Sequence, residues 1–211
     1  MPDHVPYRLP ALAAQPYAWP FDGRWSAADT ALLILGFQTG PVQALSAEAE
    51  LAVACRLVEA AAGLGMTIVA VRRGHTDQES PIARRRRDLG DPIPAQGSAG
   101  WALDARLALP PAAILIDIAG DNAFFGNDLE ERLRARGIRN LLVTGLPTEG
   151  LVHATQRAAN DMGFECLAIA DACKGTSPAR HAAQLRITTF GNGLFGTVAS
   201  AAEVLSALHF A

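Results

Sequence analysis

The chain has 211 residues, half of them apolar and 18% charged, enough to bury one good core, and a single globular domain is the default at this length. A formal net charge of −3 and a pI near 5.9 give no long-range attraction to nucleic acid or anionic lipid, so neither class of partner is expected. Three scattered cysteines, Cys55, Cys166 and Cys173, exclude a disulfide framework and a zinc site built on close Cys pairs, and they fit a reducing, cytoplasmic setting.

Residues 1–29 are rich in Pro and aromatics without a period and predict an extended arm packed on the domain formed by 30–211. This start has no basic segment followed by an apolar run, so neither a signal peptide nor a membrane span is expected. The continuous apolar run Ala31 to Phe37 reads as a strand buried on both faces. Ser46 is placed to cap a helix with Glu48 and Glu50 in its first turn, an apolar stripe at Val53, Leu57, Ala60 and Leu64, and Gly65 at its end. A strand over Thr67 to Val71 follows, then an irregular stretch from Arg73 to Pro110 long enough for a lid or an oligomer contact.

The unit repeats with a strand over Ala113 to Ile118 and a helix whose start carries Asn127 and Glu130 as a capping box. Leu129 and Leu133 share its face, and Gly137 stops it. Strand Leu141 to Leu146, a helix from Thr148 to Gly163, and strand Glu165 to Ala170 come next; helical texture returns over Pro178 to Arg186 and Ser200 to Leu208. This alternation predicts a parallel, doubly wound α/β sheet that binds ligands beyond the carboxyl ends of its strands. The segments to inspect are therefore Gly36 to Gln38, Asp117 to Asp121 and Gly145 to Leu151.

The stretches PYAWPFDG, TALLILGFQTG, AFFGNDLEERLRARGIRNLLVTGLPTEGLVHATQRAANDMGFECLAIADAC and FGNGLFG resemble the isochorismatase-like cysteine hydrolases, nearest the ureidoacrylate and biuret amidohydrolase branch. The resemblance runs from about Pro16 to Leu208 and implies a three-layer α/β/α fold around a mainly parallel six-stranded sheet. It also implies an Asp-Lys-Cys triad that hydrolyses amides through a thioester, with no cofactor or metal. A helix N-terminus and a nearby cation favour the thiolate, and the carboxylate moves the proton.

Laid on this chain, the triad positions fall on Gly36, Ile118 and Leu151, none of which can act as base, cation or nucleophile. The resemblance also implies a cis bond at Leu146–Pro147, whose following N–H would serve the oxyanion hole, and Pro147 has no N–H. The lone lysine, Lys174, and the three cysteines stand too far along the chain for a shift of register to restore the triad.

Phe37, Gln38, Asp121, Phe124, Thr148 and Glu149 are the candidate pocket-lining residues, although a strand-end Gln is also an ordinary turn stabiliser. Each other reactive group has a bland reading beside the sharp one. Cys55 and Cys166 read as structural thiols, and Cys173 beside Lys174 as a thiol that an ammonium could activate. Glu149 and His153 could exchange protons, yet residues at this spacing on a helix diverge. Asp117 and Asp121 could share a metal, but Asp117 faces away from Ile118. His75 has no second His at ligand spacing. Arg84 to Arg87, among Asp77, Glu79, Asp88 and Asp91, reads as a solvated or inter-subunit loop rather than a phosphate site.

The favoured reading is a pseudoenzyme that serves as a non-catalytic subunit or binds a small amide or carboxylate. It would be a homo-oligomer, or a hetero-oligomer with an active paralogue, with Trp101 at an interface. The alternatives are a hydrolase of a small amide or ureido compound using Asp121, Glu149 or His153, and a structural subunit with a filled pocket.

Overall fold

The computed structural model describes residues 8–75, 81–90 and 93–209. Strand β1 (Thr30–Leu35) leads through α1 (Thr39–Leu45) and α2 (Glu48–Gly63) to β2 (Thr67–Arg73), and α3 (Pro81–Asp88) lies in the long connection to β3 (Ile114–Ile118). After α4 (Leu129–Arg134) comes β4 (Asn140–Gly145), then a π turn (Thr148–Val152) that opens α5 (His153–Asp161). The chain continues through β5 (Glu165–Cys173), α6 (Pro178–Thr188), the short α7 (Phe190–Gly193), β6 (Thr197–Ala199) and α8 (Ala201–His209).

All strand pairs are parallel, in the order β3-β2-β1-β4-β5-β6. Every residue of β1 and β4 is buried, as a parallel sheet covered on both faces requires. One face packs Leu32, Ile34 and Leu142 against α2, α8 and the arm, whose Leu9, Leu12, Trp19 and Trp25 belong to that core. The other packs Leu33, Leu35, Leu141 and Val143 against Leu129 and Leu133 of α4, Val152 and Ala159. Strand order reverses between β1 and β4, which makes their carboxyl ends the switch point where α/β sheets bind ligands. Among the described residues, no helix is long and apolar enough to cross a membrane.

Several local expectations need correction. Ser46 does not cap α2; it ends α1 in the left-handed region (φ 50°), and Ala47 precedes α2. The buried stripe of α2 is Leu51, Ala54, Leu57, Val58 and Ala61, so Val53, Ala60 and Leu64 lie at its margin. Asn127 accepts from the Leu129 N–H at 3.0 Å, but Glu130 turns to Arg134 instead of closing the box. Trp101, half-buried, stacks under the Arg72 guanidinium at 3.7 Å within its own chain. Asp77, Glu79 and Asp91, expected around the arginine run, lie outside the described residues, as do positions 1–7 of the arm.

Candidate active site

Beyond the carboxyl ends of β1 and β4 lies an open cavity of about 270 Å³. Gly36 follows β1, and Leu146, Pro147, Gly150 and Leu151 follow β4; all five line it, along with Gln38, Arg73, Arg86, Asp121 and Thr176. The two strand ends meet backbone to backbone, the Leu146 N–H donating to the Leu35 carbonyl at 2.9 Å. Gly145 (φ 149°) permits this approach, because a Cβ there would strike the Leu35 carbonyl.

Gly36 is constrained in two ways. Its φ of 70° lies in the left-handed region, and a Cβ would stand 2.5 Å from the Leu146 carbonyl oxygen and 3.1 Å from Leu151 Cδ2. The Leu146–Pro147 bond is cis, and the Thr148 N–H beyond it donates to the Lys174 carbonyl at 2.9 Å. Leu151 is fully buried in the π turn, its isobutyl group beside Gly36.

Ile118 does not face this cavity. It is buried with the apolar side chains between the sheet and α4 and lines a neighbouring depression of about 630 Å³, which shares Arg86 and Asp121 with the first. Four expected lining residues also lie elsewhere. Phe37 is buried in the core on the arm side of the sheet, and Phe124 stacks on Phe164 at 5.9 Å on the other. Thr148 Oγ1 lies 2.8 Å from His181 Nδ1, and Glu149 accepts from the Thr176 N–H at 2.9 Å and from the Thr176 hydroxyl. Gln38 does reach the cavity wall, but its amide is fully engaged by backbone. It donates to the carbonyls of Arg73 (3.0 Å) and Trp101 (2.9 Å) and accepts from the Arg73 N–H (2.7 Å).

The candidate acid–base groups are separated in the same way. Burial alone would raise the Glu149 carboxyl, but the Thr176 hydrogen bonds outweigh it and hold the group below the usual range. Burial, with Arg157 nearby, pushes His153 down; its Nδ1 meets Gln184 Nε2 at 2.6 Å rather than Glu149. Asp117 points to the exposed edge, bridged by Arg72 at 2.6 and 2.8 Å, whereas Asp121 pairs with Arg73 and, at 2.6 Å, with Arg86. Lys174 reaches away from the cavity to the Ser46 carbonyl (2.9 Å) and Glu50 (3.3 Å).

Burial pushes the thiol of Cys173 up to about 12 and that of Cys166 higher still, while Cys55 is partly exposed. Of the three cysteines, only Cys55 is therefore expected to react with a disulfide reagent such as DTNB at pH 8 in the native protein, and all three after unfolding. Rapid native titration of a second thiol would contradict the burial of Cys166 and Cys173.

Sequence reasoning passed over Arg73 and Arg86 as cavity residues. Arg73 ends β2, so the strand-end rule could have found it, but Arg86 is brought in only by the path of the long connection.

A family model for the isochorismatase domain matches residues 30–203. The ureidoacrylate amidohydrolase RutB of Stutzerimonas stutzeri is 35% identical over 128 residues, which are 60% of this chain and 50% of that protein, so the chain spans half the length of this relative. The Azorhizobium caulinodans RutB is 29% identical over 189 residues, covering 81% of this chain and 79% of its own length. In structure, the chain is similar to a cysteine hydrolase from Pseudomonas syringae pv. phaseolicola, with a TM-score of 0.80 and 20% identity over 95% of this chain and 98% of the other.

Proposed function

The chain belongs to the isochorismatase family, and from that premise we propose that it keeps the family's cavity as a small-molecule site while lacking the thioester chemistry. The observation that carries this reading is the backbone at Gly36. Where the resemblance puts the catalytic aspartate, a Cβ would fall 2.5 Å from a backbone carbonyl at φ 70°, so a side chain there would be strained and would have to push the β4 end aside. Leu151, at the nucleophile position, turns its isobutyl group into the space beside that glycine. With no thiol at the switch point, and with the one lining carboxylate among the described residues, Asp121, held between Arg73 and Arg86, amide hydrolysis has no nucleophile to activate.

The rival hydrolase reading draws on Asp121, Glu149 and His153. Each of these is already paired, with Arg73 and Arg86, with Thr176 and with Gln184 respectively, and no hydrogen bond joins any two of them. A filled, purely structural pocket finds no support in an open cavity of about 270 Å³.

A thermal-shift screen of small amides, ureido acids including ureidoacrylate, and carboxylates tests the binding part. A ligand at a hundred times its Kd adds about 2.7 kcal/mol of stability, or a rise in Tm of roughly 5–10 °C for a domain of this size. At least one class is expected to give such a rise without being consumed; no shift across all three classes at millimolar concentration would count against a binding role.

A further inference from the structure

Resting on the reading that the cavity is a small-molecule site, we propose that its ligand enters as a carboxylate, held by the guanidinium groups of Arg73 and Arg86 in exchange for Asp121. Among the described residues that line the cavity, the charged side chains are these three. Asp121 lies between the two arginines, with Oδ1 on Arg73 Nη1 and Oδ2 2.6 Å from Arg86 Nη2. One carboxylate thus already sits where two guanidinium forks converge, at the wall of a mostly apolar chamber.

The other polar lining groups are committed. Gln38 uses both ends of its amide on backbone, and the Thr176 hydroxyl donates to Glu149. Arg73 and Arg86 are the described lining side chains that carry positive charge, so an anionic end of a ligand meets its partners there, and its body meets Pro41, Leu45, Ile93 and Pro94. Guanidinium groups only donate. A carboxylate accepts at both oxygens and matches the fork, whereas a carboxamide of the same shape turns an NH₂ donor toward donors. Asp121 belongs to the loop after β3 and its side chain is 21% exposed, so it can yield its place without unpacking the core.

Benzoate and benzamide are isosteric probes for this choice, measured by calorimetric titration at pH 7.5. The wild-type protein is expected to bind benzoate at least tenfold more tightly than benzamide. Arg86→Gln, on a partly exposed side chain of α3, should weaken benzoate about tenfold and leave benzamide unchanged, while Asp121→Asn should strengthen benzoate severalfold by removing its competitor. Benzamide binding as tightly as benzoate would overturn the carboxylate assignment and leave the small-molecule reading intact. Failure of both probes, together with a silent thermal-shift screen, would overturn both. The wild-type acid-to-amide ratio decides the matter even if a variant fails to fold.

Discussion

Replacing Gly36 by aspartate is expected to cost on the order of 3–5 kcal/mol of stability, combining a non-glycine residue in the left-handed region with forced overpacking. For a domain of this length that lowers Tm by roughly 10 °C or more. The physical cause is the Cβ itself, 2.5 Å from the Leu146 oxygen, so Gly36→Ala should lose most of the same amount. Scanning calorimetry on the two variants separates a backbone clash from a carboxylate effect. The triple variant Gly36→Asp, Ile118→Lys, Leu151→Cys is expected to show no amidase activity, because its lysine would enter an apolar cluster and its aspartate would displace the β4 end. A stable Gly36→Asp protein, or an active triple variant, would show that the strand ends are not locked as described.

The second large effect is expected at Gln38. This fully buried amide ties the end of β2 to the segment at Trp101 through three hydrogen bonds, at 2.7, 2.9 and 3.0 Å. Gln38→Leu keeps the bulk but orphans the Arg73 N–H and removes a partner from two carbonyls, which should destabilise by about 2–4 kcal/mol. The denaturation midpoint should fall at unchanged m-value, and amide exchange should rise at Arg73. Benzoate binding should weaken as well, since Arg73 reaches the cavity from this junction. A midpoint within experimental error of wild type would mean that the clamp contributes little.

The fold was legible where burial is symmetrical. β1 and β4 are apolar throughout because both of their faces are covered, and helix-length patterns between strands predicted the crossovers. The errors arise from tertiary contacts. Helix α1 escaped notice because it begins Thr39-Gly40-Pro41, a poor helical text; Pro41 sits in the first turn where it is tolerated. Gly40 packs closely on Gly100, whose carbonyl a Cβ would approach to 3.0 Å. With α1 unseen, Ser46 looked like a beginning when it is an end. The three-residue β6 is too short to leave a periodic trace.

At the site, the strand-end rule located Gly36, Gln38, Asp121, Leu146 and Leu151 at one cavity, because in a parallel sheet chain position dictates which end a residue occupies. It could not say which way each side chain turns. Phe37 and Phe124 point into opposite cores, and Thr148 and Glu149 turn toward His181 and Thr176. The arginine run looked like a solvated face, and only the folded connection brings Arg86 to Asp121.

The most direct measurement is ammonia release from the amide and ureido panel by purified protein, with and without iodoacetamide, beside a cysteine-dependent member of the family. Loss of a catalytic nucleophile typically costs about 10⁶ in rate, so release should equal the buffer blank and be unaffected by alkylation. Turnover above the blank that iodoacetamide abolishes would contradict the account, since it would require a reactive cysteine at a site where Leu151 stands beside Gly36.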